Sequence, residues 1–351
     1  MRCTTFGRTT GLRVSELALG TANFGTMWGG GANRDEARRI LGLFTEAGGN
    51  MIDTADNYQI GQSEQILGEL IGSDRDRYVL TTKFSLGPGR LDVLGTGNSR
   101  KNIRRSVEGS LKRLRTDHID LYWAHLPDDV TPTEEILAAL DDLVRAGKIL
   151  HIGLSNFPAW RVSRAVTLAE LRGRSPVVAV QFEYSLAERS ADRELLPMAE
   201  ALGLGAALWS PLGGGLLTGK YRESRRGRLS DWDGRAVRTE DGDHRTRIVD
   251  TVLAVAAESG LTPAQVSVAW LRSRAAPCPT ALVPVIGPRS AEQLETYLSV
   301  LDVSLDDAAL TRLDEVSAVP LGQPHELVAN TLDAVRGGRS GRLAGPAVPV
   351  A

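Results

Sequence analysis

The stretch Met51-Ile52-Asp53-Thr54-Ala55-Asp56-Asn57-Tyr58 is a short apolar run that ends in a carboxylate and continues as a polar loop. Two later runs end in the same way, with Lys83 closing residues 78–83 and His125 closing residues 119–125. If these runs are neighbouring parallel strands, their carboxyl ends meet at one edge of the sheet. The pattern therefore predicts a parallel α/β fold in which Asp53, Tyr58, Lys83 and His125 converge.

Eight strand-like segments alternate with amphipathic stretches along the chain. The predicted strands lie near residues 17–20, 51–53, 78–82, 119–123, 149–154, 177–181, 205–209 and 281–285. Helical patterns occupy residues 35–47, 63–71, 103–114, 133–146, 161–171 and 193–202, several of them followed by glycine. This alternation is typical of a parallel sheet covered by helices.

The residues that follow the eight runs favour a closed barrel over an open sheet. These residues are Thr21, Asp53, Lys83, His125, Ser155-Asn156, Gln181, Ser210 and Gly287. A barrel gathers all eight carboxyl ends around one mouth, whereas an open sheet spreads them along a wide edge. We therefore predict an α/β fold of the (β/α)8 TIM-barrel type.

The remaining segments fit additions to such a barrel. Residues 1–16 contain turn-forming glycines between β-prone pieces and predict a hairpin that caps the barrel. Residues 210–246 predict a loop over the mouth, and residues 337–351 a loosely held tail. Further helical patterns lie at residues 247–258, 263–273 and 306–317. At 351 residues, one barrel domain covering residues 1–351 is expected.

Composition favours a small-molecule enzyme of a reducing compartment. Lys and Arg total 41 against 43 Asp and Glu, a net charge of -2 that favours neither nucleic acid nor an anionic membrane. Cys3 and Cys278, the only cysteines, indicate no disulfide framework. The chain shows no apolar signal segment and no run near the roughly 20 residues of a spanning helix, so a cytoplasmic location is expected. The sequence leaves the oligomeric state open.

Several familiar ligand motifs are missing. The five histidines show no metal-ligand spacing, so no metal site is expected. Residues 214–220 have the spacing of a Walker A loop but continue with Tyr221 where a Ser or Thr binds magnesium. No G-x-G-x-x-G stretch occurs, so any nicotinamide cofactor must be held in some way other than a Rossmann turn.

The four converging side chains suit proton donation to a carbonyl. A phenol has a reference pKa near 10, and an adjacent ammonium and imidazole can lower that pKa toward the working range. Taken singly, Asp53 fits an Asx turn, Lys83 a solvated strand end and His125 a structural histidine. Their joint occurrence at the ends of three successive strands favours a catalytic role.

In these residues the chain resembles the aldo-keto reductase superfamily, particularly the branch with bacterial reductases and the beta subunits of voltage-gated potassium channels. The resemblance runs from about residue 12 to residue 318. Its most specific segments are residues 53–58, 153–157, 209–221 and 284–287 with Arg289 and Gln293. It implies a (β/α)8 barrel that binds NADPH/NADP+ across the carboxyl-terminal mouth and reduces an aldehyde or ketone.

The resemblance also implies roles for individual residues. Tyr58 is the expected general acid, Lys83 and Asp53 the charged pair that tunes it, and His125 the donor that orients the carbonyl. The expected cofactor contacts are Thr21, Asp53, Ser155, Asn156, Gln181, Trp209, Ser210, Leu212, Lys220, Gly287, Arg289 and Gln293. Arg289 is expected to bind a 2′-phosphate through charge-assisted hydrogen bonds, which favours NADPH over NADH. The alternative interpretation is that Arg289 caps the start of the last barrel helix.

Two positions depart from the family pattern. Gln59-Ile60-Gly61 follows Tyr58 where a glycine commonly follows directly, and Tyr297 stands where an asparagine often contacts adenine. Gln59 and Ile60 could alter the substrate mouth near Met27 and Trp28. The resemblance also implies that a role in a natural-product or deoxysugar pathway is open to this chain. Two other functions stay open: a Schiff-base aldolase that uses Lys83, and a redox-responsive, nucleotide-binding partner subunit with little turnover.

Overall fold

A computed structural model describes residues 1–89, 92–223, 238–338 and 343. Eight parallel strands form a closed barrel in the order β10-β3-β4-β5-β6-β7-β8-β9, and two further strands form a separate antiparallel pair. The strands are β1 Cys3–Thr5, β2 Arg13–Ser15, β3 Ala18–Gly20, β4 Met51–Asp53, β5 Val79–Phe84, β6 Ile119–Ala124, β7 Ile149–Ser155, β8 Val177–Glu183, β9 Gly205–Trp209 and β10 Leu282–Ile286. The predicted (β/α)8 barrel is confirmed.

Helices surround the barrel and connect successive strands. They are α1 Arg34–Glu46, α2 Gln62–Ile71, α3 Arg100–Leu114, α4 Thr133–Arg145, α5 Ala159–Leu171, α6 Leu195–Leu202, α7 Asp243–Ser259, α8 Pro263–Ala275, α9 Ala291–Leu298, α10 Asp307–Ser317 and α11 His325–Val335. The predicted helices agree with these bounds to within a few residues. Helices α9 and α11 were not among the predicted helices, and α11 contains no buried residue.

Helix α1 illustrates how the sequence specifies its own boundaries. The side chain of Asn33 accepts a hydrogen bond from the amide of Glu36, which satisfies one of the free N–H groups of the first turn. Four apolar residues at helical spacing, Ala37, Ile40, Leu41 and Phe44, are buried against the barrel. Gly49 follows the helix because a Cβ there would lie 2.4 Å from the Phe44 ring.

The β1–β2 hairpin closes the amino-terminal end of the barrel, as predicted. Its Phe6 is fully buried and packs with Val14 in a core cluster that includes inward-facing residues of the barrel strands. The amide of Ser15 donates to the Asn50 side chain just before β4, at 2.7 Å. With the bottom sealed in this way, the carboxyl ends of the strands form the accessible mouth.

Two strands, β5 and β8, extend two residues beyond their predicted ends. Strand β5 continues to Phe84 and β8 to Glu183, so Lys83 lies within a strand and Gln181 lies two residues before a strand end. The polar residues at these positions break the apolar pattern because both side chains hydrogen-bond to the Asp53 carboxylate inside the barrel. Strand pairing places Asp53 opposite Thr81 and Lys83 opposite Trp123.

The predicted mouth loop at residues 210–246 is only partly described. It includes short 3-10 turns at Gly213–Thr218 and Lys220–Arg222, and α7 begins at Asp243, before the expected residue 247. Residues 224–237, including Trp232, lie outside the described residues, as do residues 339–342 and 344–351 of the predicted tail. Among described helices, none alone is long and apolar enough to cross a membrane, and the pair α7–α8, which qualifies jointly, is bent by 99°.

Candidate active site

A cavity of about 930 Å³ opens at the carboxyl ends of the barrel strands. Its inner part is lined by Asp53, Tyr58 and His125, and its outer part extends over β9 and β10 toward α9. The cavity is large enough for an extended organic ligand. It is the natural candidate for the active site because the predicted catalytic side chains meet there.

Lys83 is the centre of the polar cluster. Its Nζ donates to Asp53 Oδ2 at 2.6 Å, to the Thr54 carbonyl at 2.8 Å and to the Tyr58 hydroxyl at 3.1 Å. An ammonium has three donors, and here each donor has an acceptor. The lysine is fully buried, so its position is fixed by these three contacts.

The charges of the cluster stabilise the protonated lysine. Burial alone would lower the pKa of Lys83, but the neighbouring Asp53 carboxylate and Tyr58 hydroxyl outweigh burial and raise that pKa. The other carboxylate oxygen, Asp53 Oδ1, accepts from Thr81 Oγ1 at 2.8 Å and from Gln181 Nε2 at 3.0 Å. The buried ion pair is therefore also fully hydrogen-bonded, which is the condition under which such a pair is tolerated.

The loop after β4 holds Tyr58 over Lys83. The amide of Asp56 donates to the carbonyl of Lys83 at 3.0 Å, which ties the loop backbone to β5. The Tyr58 ring is half-buried, and Lys83 Nζ lies 4.7 Å from the ring centroid. The phenol oxygen is thus held beside a permanent positive charge at the cavity wall.

His125 flanks Tyr58 on the other side. The two rings meet edge to face, with centroids 6.0 Å apart and an interplanar angle of 79°. Desolvation and the positive charge of Lys83 both lower the pKa of His125 well below its ordinary value. The imidazole is therefore neutral at physiological pH, and a neutral imidazole can donate one hydrogen bond.

Asn156 and Trp209 form the next part of the cavity wall. The Trp209 indole N–H donates to Asn156 Oδ1 at 3.0 Å, and Asn156 Nδ2 donates to the His125 carbonyl at 3.0 Å. Asn156 and Ser210 both adopt left-handed backbone conformations, with φ of 59° for each. Such conformations in non-glycine residues are uncommon and cluster at functional sites.

The outer part of the cavity combines glycines with basic side chains. Gly214 and Gly215 have positive φ, and a Cβ at residue 215 would lie 2.7 Å from Lys220 Cε. The side chains of Lys220, Arg289 and Gln293 line this part. The glycines leave room for a ligand chain, and the two cations suit phosphate groups.

The structure brings most of the predicted site residues to one cavity. Those that line it are Asp53, Tyr58, His125, Asn156, Gln181, Trp209, Ser210, Leu212, Lys220, Gly287, Arg289 and Gln293. Lys83 lies beneath Tyr58, while Thr21 and Ser155 are buried outside the lining. The Thr21 hydroxyl donates to the Asp53 carbonyl at 3.1 Å, so Thr21 supports β4 and does not face the cavity. The residue that caps α9 is Ser290, not Arg289.

Gln59, expected from the sequence to alter the mouth near Trp28, is fully buried and accepts from the Trp28 amide at 2.8 Å. Other site residues were not found from the sequence. Asn23 donates to the Gly287 carbonyl at 2.8 Å and so positions a cavity loop. Ala264 and Thr296 line the outer cavity from α8 and α9. Within the described ranges, no three His, Cys, Asp or Glu side chains are grouped to hold a metal ion.

Comparison with known proteins agrees with this geometry. Residues 16–318 match the model of the aldo/keto reductase family. The uncharacterized oxidoreductase YrpG of Bacillus subtilis is 38% identical over 342 residues, covering 94% of this chain and 100% of the relative. Norsolorinic acid reductase stcV of Emericella nidulans is 35% identical, covering 90% of this chain and 81% of the relative. A putative aryl-alcohol dehydrogenase of Saccharomyces cerevisiae is 32% identical, covering 94% of this chain and 90% of the relative.

Proposed function

Because this chain belongs to the aldo/keto reductase family, we propose that it is an NADPH-dependent reductase that converts an aldehyde or ketone to an alcohol, with Tyr58 as the proton donor. The observation that carries the proposal is the 3.1 Å contact between Lys83 Nζ and the Tyr58 hydroxyl, with the lysine held by Asp53 at 2.6 Å. An ammonium at this distance stabilises the phenolate that remains after Tyr58 gives up its proton. The Tyr58 hydroxyl is therefore a better acid than a solvated phenol.

His125 would orient the carbonyl oxygen toward Tyr58. Its neutral imidazole can donate a hydrogen bond to that oxygen without competing with Tyr58 for the proton. The edge-to-face contact of the two rings places both groups at the same point of the cavity. Tyr58 and His125 together would stabilise negative charge that develops on the oxygen.

The residues around the cavity fit a nicotinamide dinucleotide. The Trp209 ring offers a flat face, and Asn156 and Gln181 offer amide groups suited to a carboxamide. Lys220 and Arg289 would hold the phosphates, and the Arg289 guanidinium suits the 2′-phosphate that distinguishes NADPH from NADH. A reduced nicotinamide, when bound, supplies the hydride for carbonyl reduction.

We further propose an aromatic carbonyl compound as the substrate. The half-buried Trp28 lies against Tyr58, with ring centroids 6.1 Å apart, so the mouth beside the proton donor is aromatic. The name of one relative, a putative aryl-alcohol dehydrogenase, points the same way. A role in a natural-product pathway is compatible with such a substrate.

The geometry argues against the aldolase alternative. A Schiff-base lysine must lose its proton and reach the substrate carbonyl. Lys83 is fully buried, donates to three acceptors, and has a raised pKa, because Asp53 and Tyr58 outweigh the opposing effect of burial. These features hold it as an ammonium.

The test is a panel of carbonyl compounds assayed with NADPH and NADH. NADPH consumption, measured by absorbance, should be observed with aromatic aldehydes and ketones and should be faster than NADH consumption. A copurifying partner that dissociates on NADPH oxidation, with no consumption of any substrate, would favour the partner-subunit alternative.

A further inference from the structure

The loop that joins β3 to α1, residues 21–32, carries Trp28 to the cavity and is held by one buried side chain. We call this segment the Trp28 loop. The Gln59 side chain is fully buried, and its Oε1 accepts from the Trp28 amide at 2.8 Å while its Nε2 donates to the Ala22 carbonyl at 2.9 Å. A single carboxamide thus connects both arms of the loop to the segment that carries Tyr58.

A second glutamine and the loop's own backbone reinforce this attachment. Gln62 Oε1 accepts from the Thr26 amide at 2.8 Å, and the Gly25 amide donates to the Ala32 carbonyl at 2.7 Å. Packing is tight, because a Cβ at Gly25 would lie 2.5 Å from Gln62 Oε1 and 3.0 Å from Gln59 Cβ. The Trp28 loop therefore rests directly on these two glutamines.

The backbone at Gln59 is held in an unusual conformation. Gln59 has φ 50° and ψ 36°, and Ile60 has φ 58° and ψ 38°, so two consecutive non-glycine residues are left-handed. Such conformations persist only where the surroundings impose them. Gln59 points inward and forms both loop contacts, whereas the Ile60 side chain is 48% exposed. The two strained residues therefore differ in function, which provides a matched pair for experiment.

The result of this arrangement is a fixed aromatic wall next to the proton donor. The rings of Trp28 and Tyr58 meet at an interplanar angle of 75°. Trp28 lies in the exposed arm of the loop, between Met27 and Gly29. Its backbone amide donates the hydrogen bond that the Gln59 side chain accepts. The position of the indole thus depends on the Gln59 carboxamide.

We propose that Gln59 is a specificity-determining residue: by clamping the Trp28 loop it holds the indole as a wall for planar aromatic substrates. This inference rests on the proposed reductase function. Gln59 acts through Trp28 and is therefore a positioning residue. A planar bicyclic aldehyde would gain contact area from the wall, whereas a small aliphatic aldehyde would not reach it.

The test compares Gln59→Met with Ile60→Gly. Methionine keeps the volume and the strained backbone but removes both hydrogen bonds, while glycine at residue 60 relieves strain and leaves the clamp intact. For 2-naphthaldehyde, Gln59→Met should raise KM about tenfold with little change in kcat, since two hydrogen bonds that fix the wall are lost. For propanal Ile60→Gly should match the wild type, and Gln59→Met should change KM much less than it does for 2-naphthaldehyde.

Hydrogen exchange of the peptide covering residues 22–32 gives a readout that needs no turnover. Its protection should fall in Gln59→Met and be retained in Ile60→Gly. Binding of 2-naphthoate, followed by tryptophan fluorescence, should weaken only in Gln59→Met. Unchanged protection, or unchanged KM and binding in Gln59→Met, would overturn the proposal. If the wild type reduces neither aldehyde but naphthoate binding still depends on Gln59, the proposed reductase function is wrong. The proposed role of Gln59 in holding the Trp28 loop is then still supported.

Discussion

Asp56 and Glu64 are two fully buried carboxyl groups, and of the two it is Glu64 that is paired with an arginine. Glu64 accepts from Arg113 Nε at 2.7 Å and from Thr82 Oγ1 at 2.6 Å. Within the described part of the chain, Asp56 has no ion-pair partner and neither carboxyl oxygen has a hydrogen-bond partner at normal distance and angle. Burial, followed by the negative charge of Glu64, raises the pKa of Asp56 to about 8. The charge of Arg113 and the nearby amides of Asn57 and Gly87 lower its pKa only in part.

This relationship predicts a pH-dependent stability. Because the pKa of Asp56 is higher in the folded protein than its ordinary 3.8, the folded state binds this proton more tightly. The contribution of Asp56 to the free energy of unfolding is therefore full below pH 4 and decreases as the pH rises toward 8. The Asp56→Asn variant has no carboxyl group to ionise at this position, so it does not lose stability in this way as the pH rises. Its free energy of unfolding, relative to that of the wild type, should therefore increase by about 5 kcal/mol between pH 4 and pH 8 and then level off.

Urea unfolding at several pH values from 4 to 9 measures this difference, and Asp141→Asn is the control. Burial alone would raise the pKa of Asp141, but hydrogen bonds from Ser175 outweigh it and lower that pKa. The stability contributed by Asp141 is present above the ordinary pKa and lost only at lower pH. Its variant should therefore differ from wild type by a constant amount from pH 5 to pH 9. A constant difference for Asp56→Asn as well would contradict the assignment.

Tyr58→Phe tests the proposed proton donor. Removal of the hydroxyl should lower turnover by about a hundredfold or more, the usual effect of losing a general acid. NADPH affinity, measured by fluorescence titration, should be unchanged because the ring remains. Tyr78→Phe is the matched control, since it also removes a hydrogen-bonded hydroxyl, 2.9 Å from Thr45 Oγ1, but far from the mouth. Wild-type turnover in Tyr58→Phe would refute the role.

Lys83→Met tests the buried ion pair. The variant leaves the Asp53 carboxylate buried without its cation and should lose about 3–5 kcal/mol of unfolding free energy. Adding Asp53→Asn should recover much of that stability, because the neutral amide keeps an oxygen for Thr81 and Gln181. Activity should stay low in the double variant, since the charge beside Tyr58 is still missing. Urea unfolding and turnover of the four proteins in the cycle provide the measurement.

Arg289→Ala tests cofactor selectivity. Loss of the guanidinium should weaken NADPH binding by about tenfold or more and leave NADH binding almost unchanged, because NADH lacks the 2′-phosphate. Fluorescence titration with both cofactors measures the two affinities. Arg312→Ala, which removes a surface arginine paired with Glu258, is the control. Equal losses of affinity for NADPH and NADH would show that Arg289 does not recognise the 2′-phosphate.

Much of the fold was predictable because the barrel is built from local patterns. Each strand is an apolar run, each helix has its own apolar face, and glycines mark several helix ends. The grouping of Asp53, Lys83 and His125 followed from their places at the ends of successive parallel strands. Helices α9 and α11 were not predicted. Helix α9 has only eight residues, and α11 buries none of its residues although Leu327, Val328, Leu332 and Val335 lie on it, so its apolar residues do not mark a core face.

The sequence by itself determined the strand and helix alternation, the closed barrel and the identity of the polar groups at its mouth, because these depend on spacing along the chain. Tertiary structure decided the rest. The three acceptors of Lys83, the burial that raises the pKa of Asp56, and the reach of Gln59 to Trp28 depend on residues distant in sequence. Their distances and local dielectric exist only after the barrel has closed, since hydrogen bonds and pKa shifts respond to position in space and to exclusion of water.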